Sequence, residues 1–169
     1  PQQTTPFVGR QNELMQLGEL LVEGGCRLLT MVGPGGIGKT RLSIQTAAEY
    51  GEHFPHGVYF VPLAPLGSPD LLVSAIADAL DLRFQQADDP AAQLIRALGQ
   101  KEMLLVLDNF EHLLDGAPLL SDIVSHTPHI QILVTSRERL NLQAECLYEL
   151  GGLQVPASAD AQIFEEFEA

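Results

Sequence analysis

The chain has 169 residues, of which 46% are hydrophobic, and this is typical of one folded domain with a sizeable core. Nine basic residues against 22 acidic ones give a net charge of −13. This domain by itself therefore lacks the surplus of lysine and arginine that binding to nucleic acids or anionic membrane surfaces requires. No apolar run approaches the roughly 18–20 residues of a membrane-spanning helix.

Short apolar runs alternate with segments of helical spacing along the chain. The predicted strands cover residues 27–32, 57–61, 103–107, 130–135 and 146–150. The predicted helices cover residues 11–22, 39–50, 68–80, 90–99 and 111–125, and a further helix opens at 156–158. Asn12 is a candidate N-cap of the first helix, and Ser68-Pro69-Asp70 is a start signal for the third. Strands that are apolar on both faces and alternate with helices predict an α/β fold, a parallel sheet covered by helices on both sides.

A glycine-rich segment lies between the first predicted strand and the second predicted helix. Residues 33–40 read GPGGIGKT and match the phosphate-binding pattern G-x-x-x-x-G-K-[ST] at every fixed position. Glycines let backbone N–H groups approach phosphates closely, and the helix N-terminus adds partial positive charge. We expect Lys39 to reach the β and γ phosphates and the Thr40 hydroxyl to ligate Mg²⁺. The predicted nucleotide-binding residues of this segment are Gly33, Pro34, Gly35, Gly36, Ile37, Gly38, Lys39, Thr40 and Arg41.

The third predicted strand ends in Asp108, at the edge where open parallel sheets bind ligands. We expect this carboxylate to hold Mg²⁺, directly or through water. Asn109 follows, where a second acidic residue is usual; an amide cannot take a proton from water, so Asn109 is a candidate for orienting the water instead. Glu111 is a candidate for the missing base, and it is equally consistent with a first-turn carboxylate that the helix dipole favours.

The fourth predicted strand leads into Ser136 and Arg137. In a parallel sheet this end of the strand lies at the same edge as the glycine-rich loop and Asp108. Arg137 is therefore a candidate sensor of a γ phosphate through a charge-assisted hydrogen bond. Pairing with a nearby carboxylate such as Glu138 explains the same arginine equally well.

Taken together, these motifs resemble the STAND class of P-loop ATPases, the NB-ARC-like group. They are similar to the ATPase modules of large bacterial transcriptional regulators. The resemblance covers about residues 6–156. It rests on the glycine-rich loop, on Asp108-Asn109-Phe110-Glu111-His112, on Thr135-Ser136-Arg137 and on the segment Phe7-Val8-Gly9-Arg10-Gln11-Asn12-Glu13.

The resemblance implies a P-loop NTPase three-layer sandwich with a parallel five-stranded sheet of order 5-1-4-3-2. It implies that Val8, Gly9 and Arg10 contact adenine or ribose, mostly through the backbone, and that Arg137 senses the γ phosphate. In this order Cys26 and Cys146 open neighbouring strands. With no signal-peptide pattern the expected compartment is the reducing cytoplasm, so we expect two free, partly buried thiols.

The function predicted from the resemblance is an ATP/ADP switch domain in a larger regulatory protein, with slow Mg²⁺-dependent hydrolysis and self-association of the full-length protein in the ATP state. The alternative is an assembly module that holds ADP without hydrolysis, which Asn109 favours. The nucleotide-binding domain is expected to cover residues 1–156, and residues 157–169 to start a truncated helical domain. No direct nucleic acid or membrane contact is expected of this domain, and its five histidines fit solvated loop residues better than a zinc site.

Overall fold

The computed structural model describes residues 10–151, which form alternating helices and strands with short 3₁₀ turns between some of them. The helices are α1 (Gln11–Val22), α2 (Lys39–Tyr50), α3 (Leu72–Ala79), α4 (Pro90–Leu98) and α5 (Ala117–His126). The strands are β1 (Leu28–Val32), β2 (Val58–Pro62), β3 (Met103–Asp108), β4 (Ile130–Ser136) and β5 (Glu145–Glu149). The predicted helix at residues 156–158 lies outside the described part of the chain.

The five strands form one parallel sheet of order β2-β3-β4-β1-β5. This confirms the predicted order, in which β4 lies between β1 and β3. The carboxyl ends of these three central strands therefore meet at one edge of the sheet, and each leads directly into a segment singled out in the sequence. The topology alone gathers the glycine-rich loop, Asp108 and Arg137 at that edge.

Helices cover both faces of the sheet, so the core has two layers. Side chains alternate along β3: Leu105 and Leu107 face one layer, and Leu104 and Val106 face the other. The first layer includes the buried faces of α3, α4 and α5, and the second includes those of α1 and α2. The result is the predicted three-layer α/β sandwich. Among residues 10–151, no helix is both long enough and apolar enough to cross a membrane.

The main departure from the predicted elements follows β3. The predicted helix over residues 111–125 begins only at Ala117, after a 3₁₀ turn over Leu114–Gly116. Pro118 occupies the first turn of α5, where its missing N–H costs nothing, and its ring would clash with a preceding helical turn. Glu111 therefore lies in a loop, and its interpretation as a first-turn helix carboxylate is wrong.

Two local predictions near helix starts have opposite outcomes. Ser68 begins the α3 region as predicted, since its hydroxyl accepts a hydrogen bond from the Asp70 N–H at 3.3 Å. Asn12 is not the N-cap of α1, because the helix begins at Gln11 and the residue before it, Arg10, adopts a left-handed conformation with φ of 60°.

The expectation of two free thiols is wrong, because the structure joins Cys26 and Cys146 in a disulfide. Cys26 lies in the turn before β1, and Cys146 is the second residue of β5, paired in register with Leu29. Parallel pairing of these adjacent strands brings the two Cα atoms to 6.1 Å, within the range that a disulfide spans. The bond ties the edge strand β5 to the centre of the sheet.

Candidate nucleotide-binding site

The glycine-rich loop leaves β1 at Val32 and turns into α2 through two left-handed glycines. Gly36 and Gly38 have φ of 76° and 103°, a region that side chains disfavour. The Gly33 N–H donates to the Ser136 carbonyl at 3.2 Å, so the start of the loop is fastened to the end of β4. The glycines allow the loop to bend over the N-terminus of α2 and present backbone N–H groups there.

Lys39 lies at the start of α2 and turns its amine back into the loop. Its Nζ donates to the carbonyls of Gly33 at 2.7 Å and Pro34 at 2.9 Å, and the residue is only 6% exposed. Burial lowers the pKa of Lys39, and the nearby carboxylates of Glu111 and Asp108 oppose that effect. An ammonium has three N–H donors, so one remains for an anion in the loop.

Asp108, at the end of β3, is the centre of a hydroxyl network. Its Oδ1 accepts from the hydroxyls of Thr40 at 2.8 Å and Thr135 at 2.7 Å, and its Oδ2 lies 3.1 Å from the Thr40 hydroxyl. The Asp108 side chain is buried and the network joins α2, β3 and β4. The carboxylate and the Thr40 hydroxyl are oxygen ligands of the kind that Mg²⁺ prefers, so these residues fit that ion.

Thr135 contributes to the candidate site, although the sequence analysis names it only within the Thr135-Ser136-Arg137 motif. Its hydroxyl donates to Asp108 and accepts the Asn109 N–H at 2.9 Å, and its carbonyl accepts the Phe110 N–H at 2.9 Å. Thr135 thus fixes both the carboxylate and the turn that follows it. The available signal was a hydroxyl side chain directly after the apolar run Ile132-Leu133-Val134 of a buried strand.

The turn after β3 places Asn109 and Glu111 at the loop. Asn109 has a left-handed φ of 67°, and Phe110 is fully buried. Glu111 then faces Arg137, with 3.6 Å between the Arg137 Nε and the Glu111 Oε1. The Arg137 guanidinium also lies against Gly35, so closely that a Cβ at that position would overlap it. The carboxylate that pairs with Arg137 is therefore that of Glu111.

These side chains surround an open cavity of about 330 Å³ over the glycine-rich loop. A larger groove of about 630 Å³ lies between α1 and β5, and it contains none of the predicted site residues. The smaller cavity is the candidate nucleotide-binding site, because it combines the loop, a buried lysine and convergent polar groups. Its lining consists of Gly35, Gly36, Gly38, Lys39, Thr40, Arg41, Asn109, Glu111 and Arg137.

The predicted adenine-contacting segment is only partly described. Val8 and Gly9 lie outside residues 10–151. Arg10 reaches the loop through its side chain rather than its backbone, because its Nη2 donates to the Ile37 carbonyl at 2.9 Å. Its Nη1 lies 3.7 Å from Glu13. Arg10 therefore connects the start of α1 to the glycine-rich loop.

The histidines contribute no metal site within the described residues, where no group of three or more histidine, cysteine or acidic side chains could hold an ion. His112 is exposed, and its Nε2 lies 3.0 Å from the Leu63 carbonyl. This contact connects the loop after β3 to the loop after β2. It gives His112 a structural place beside the cavity rather than in its lining.

A parallel sheet of this order, with a glycine-rich loop, a buried lysine and a strand-end aspartate, defines a P-loop NTPase fold. Residues 22–146 match the family model described as an AAA domain, so the chain belongs to the AAA domain family. In the P-loop ATPases of this kind, the loop binds nucleotide, usually with Mg²⁺.

Among curated proteins, the chain is similar to proteins named as regulators. It is 37% identical over 134 residues to a protein named as an HTH-type transcriptional regulator of Mycobacterium tuberculosis, covering 79% of this chain and 15% of that protein. It is 32% identical over 151 residues to the regulatory protein AfsR of Streptomyces griseus, covering 83% of this chain and 15% of AfsR. The chain thus spans about one seventh of the length of these relatives.

Among solved structures, the fold is similar to archaeal ORC and Cdc6 proteins. The Aeropyrum pernix ORC2 protein superposes with a TM-score of 0.66 at 18% identity, over 95% of this chain and 51% of that one. Cdc6p of Pyrobaculum aerophilum superposes with a TM-score of 0.64 at 17% identity, over 88% of this chain and 48% of that one. At these identities the likeness extends to the fold alone.

Proposed function

We propose that this chain is the nucleotide-binding module of a larger regulatory protein, and that it binds ATP or ADP with Mg²⁺ and hydrolyses ATP slowly. The observation that carries the proposal is the convergence of Lys39, Thr40 and Asp108 beside a glycine-rich loop: Lys39 and Thr40 line a cavity of about 330 Å³, and the Asp108 carboxylate accepts the Thr40 hydroxyl. Each residue has the chemistry that a phosphate or its metal ion requires.

In this proposal each side chain has a defined task. The N–H groups of the loop and the third N–H of Lys39 bind the phosphate oxygens. Thr40 and Asp108 hold Mg²⁺, which when bound neutralises charge on the phosphates. Thr135 orients the Asp108 carboxylate, and Arg10 holds the loop through the Ile37 carbonyl.

Slow turnover follows from the residues beside the cavity. Asn109 has no basic group to accept a proton from water. Glu111 has one, but its carboxylate is paired with Arg137. We therefore expect turnover well below the ~10 s⁻¹ that is the median for enzymes.

The regulatory part of the proposal rests on the relatives and on the motifs that resemble the STAND class. Two of the relatives are named as regulators. The Aeropyrum pernix ORC2 structure contains ADPNP and ADP complexes, so that protein takes both nucleotide states. We propose that this chain also takes both, with ATP promoting self-association of the longer protein. A switch of this kind requires a nucleotide that binds the two states differently.

The first test is calorimetry with Mg·ADP and Mg·ADPNP, the β,γ-imido analogue of ATP. Lys39→Ala is expected to weaken binding of both nucleotides at least 10-fold, because it removes a charge-assisted contact to phosphate. Lys101→Ala removes the only other lysine, which is exposed and distant from the cavity, and is expected to bind like the wild type. Equal binding by wild type and Lys39→Ala would contradict the proposed site.

The alternative function is an assembly module that holds ADP and does not hydrolyse ATP, and Asn109 is the observation that favours it. A single-turnover assay with radiolabelled ATP separates the two functions. Slow release of phosphate that Lys39→Ala abolishes supports the ATPase. Tight ADP binding without any phosphate release supports the alternative.

A further inference from the structure

The disulfide lies at the start of β5, a strand at one edge of the sheet. Among residues 10–151, β5 pairs with β1 alone. An edge strand opens more readily than a central strand, because only one of its sides has a ladder of backbone hydrogen bonds. Cys146 joins this strand to Cys26, which is buried in the turn before β1. The bond therefore adds a covalent restraint to a strand that has a single hydrogen-bonded neighbour.

The other end of β5 lies against the first residue of the phosphate-binding loop. Leu150, the residue after β5, is buried, and its N–H donates to the Val32 carbonyl at 2.7 Å. A Cβ added to Gly33 would lie 2.7 Å from the Leu150 carbonyl oxygen, closer than the contacts that side chains tolerate. The two backbones are therefore in contact, and there is no room for a side chain on Gly33.

Gly33 connects this contact to the lysine of the candidate site. Its N–H donates to the Ser136 carbonyl at 3.2 Å, and its own carbonyl accepts the Lys39 Nζ at 2.7 Å. A displacement of Leu150 therefore changes the space around the residue that holds Lys39. The path from the disulfide to the phosphate-binding lysine consists of β5, one backbone contact and one hydrogen bond.

The groove between α1 and β5 gives a small reductant access to the disulfide. Gly24 and Leu147, each within two residues of a cysteine, line this open groove of about 630 Å³. Cys146 is partly exposed, whereas Cys26 is only 6% exposed. Access decides which sulfur an incoming thiolate attacks, so the attack falls on Cys146.

We propose that the Cys26–Cys146 pair is a redox switch of nucleotide binding. The disulfide keeps β5 and Gly33 in the binding arrangement, and reduction by a dithiol releases β5 and weakens binding. This inference rests on the proposed function, because the ligand whose affinity changes is the nucleotide.

The reduction consists of two thiol–disulfide exchanges. A thiolate of the reductant bonds to the Cys146 sulfur, the bond between the two cysteine sulfurs breaks, and Cys26 leaves as a thiolate. The second thiolate of the reductant attacks the reductant's sulfur in the mixed disulfide, and Cys146 leaves as a thiolate. The cysteines gain two electrons and take up the two protons of the reductant, which leaves as a cyclic disulfide. Oxidised glutathione reverses the reaction by accepting two electrons and leaving as two thiols.

The experiment measures the Kd for Mg·ADP by calorimetry on the full chain, either oxidised with oxidised glutathione or reduced with dithiothreitol. We expect reduction to raise the Kd about three- to ten-fold, because the affinity falls with the fraction of molecules whose loop is in the binding arrangement. Amide hydrogen exchange over residues 145–150 is expected to become faster on reduction, whereas β3 keeps its exchange rates.

Two variants are the controls. Cys26→Ala with Cys146→Ala has no disulfide and is expected to bind with the Kd of the reduced protein, with or without dithiothreitol. Asp89→Ala separates the switch from a general loss of stability. It removes the N-cap of α4, a helix that packs in the core layer opposite to that of Cys146 and Leu150. It is expected to leave the Kd of the oxidised protein unchanged.

Thermodynamic linkage supplies a second readout. If reduction weakens ADP binding by a given factor, saturating Mg·ADP favours the disulfide over the two thiols by the same factor. The equilibrium of the cysteine pair with a dithiothreitol redox buffer is measured by thiol labelling. Mg·ADP is expected to shift this equilibrium about three- to ten-fold towards the disulfide.

The possible results separate this inference from the proposed function. If the oxidised and reduced proteins bind Mg·ADP with the same Kd, the inference is overturned while the binding site stands. The inference is also overturned if Asp89→Ala weakens binding as much as reduction does, or if dithiothreitol changes the Kd of the double cysteine variant. If neither redox form binds Mg·ADP, the proposed function fails, and the inference fails with it.

Discussion

The Asp108 carboxylate depends on a single threonine of the neighbouring strand. Thr135 donates its hydroxyl proton to Asp108 and accepts the N–H of Asn109, so one buried hydroxyl satisfies two groups of the site. A buried polar group that loses its hydrogen-bond partner destabilises the folded state, because no water replaces that partner. At the residue scale, Thr135 therefore holds both the Asp108 carboxylate and the turn that follows it.

Replacing Thr135 tests this dependence. Thr135→Val keeps the shape of the side chain, removes one donor to Asp108 and leaves the Asn109 N–H without its acceptor. We expect the free energy of unfolding to fall by about 1–3 kcal/mol in urea denaturation. Thr135→Ser retains the hydroxyl and is expected to recover most of the loss, and a valine variant as stable as the wild type would argue against the role.

The lowered pKa of Lys39 makes the stability of the folded chain depend on alkaline pH. Burial lowers this pKa below the usual value of 10.5, so the amine loses its proton at a lower pH in the folded chain than in the unfolded one. Between the two pKa values the unfolded chain binds more protons, so this residue's contribution to stability rises with pH there.

The proposed binding of phosphate by the charged Lys39 amine is expected to have the opposite dependence on pH. We expect Mg·ADP affinity to fall as the pH rises through the lowered pKa of Lys39, measured by calorimetry from pH 7 to 11. Lys101→Ala is the matched control and should retain the same pH profile. An affinity that stays constant to pH 11, above the usual lysine pKa, would show that the Lys39 charge does not contribute to binding.

At the element scale, helix α4 begins where a nearby side chain accepts a hydrogen bond from a backbone N–H of its first turn. The Asp89 carboxylate accepts the Ala92 N–H at 3.0 Å, and Pro90 fills the first position of α4. These signals are local in sequence, and the predicted start of α4 at Pro90 is confirmed.

The role of Asp89 as the N-cap of α4 can be tested by comparing its substitution with that of Asp88, the preceding residue. Asp89→Ala is expected to lower the free energy of unfolding by about 0.5–2 kcal/mol. Asp88→Ala removes the same charge one position earlier, where only the backbone carbonyl accepts a bond from Gln93, and is expected to cost less than 0.5 kcal/mol. Thermal or urea unfolding of the two variants measures the difference, and equal losses would contradict the cap.

At the scale of the whole molecule, the disulfide closes a loop between residues 120 positions apart. A cross-link of this span restricts the unfolded chain strongly. We expect a dithiol reductant to lower the free energy of unfolding by about 2–5 kcal/mol. The measurement is urea denaturation with and without reductant.

A double variant is the control for the disulfide. Cys26→Ala with Cys146→Ala removes both thiols and is expected to have the reduced protein's stability under both conditions. A wild type that is insensitive to reductant, with both thiols titratable by a thiol reagent before unfolding, would show that the bond does not form.

The sequence alone predicted the parts of this protein that depend on neighbouring residues. Apolar runs and helical spacing predicted the strands and most helix bounds, because burial of a strand and capping of a helix are read from a few adjacent positions. The phosphate-binding loop was found in the same way, since its glycines, lysine and threonine are consecutive. The strand order came from the family resemblance, because periodicity carries no information on which strands pair.

Only the tertiary structure decided which distant groups meet. The pairing of β1 with β5 joins Cys26 to Cys146, whereas the cysteine count and the absence of a signal-peptide pattern led to an expectation of free thiols. The left-handed turn at Asn109 and the late start of α5 bring Glu111 to Arg137. Glu111 and Arg137 are 26 positions apart, and the two cysteines are 120 positions apart. Whether such residues meet depends on how the strands pair and how the chain turns between them. No short stretch of sequence contains that information.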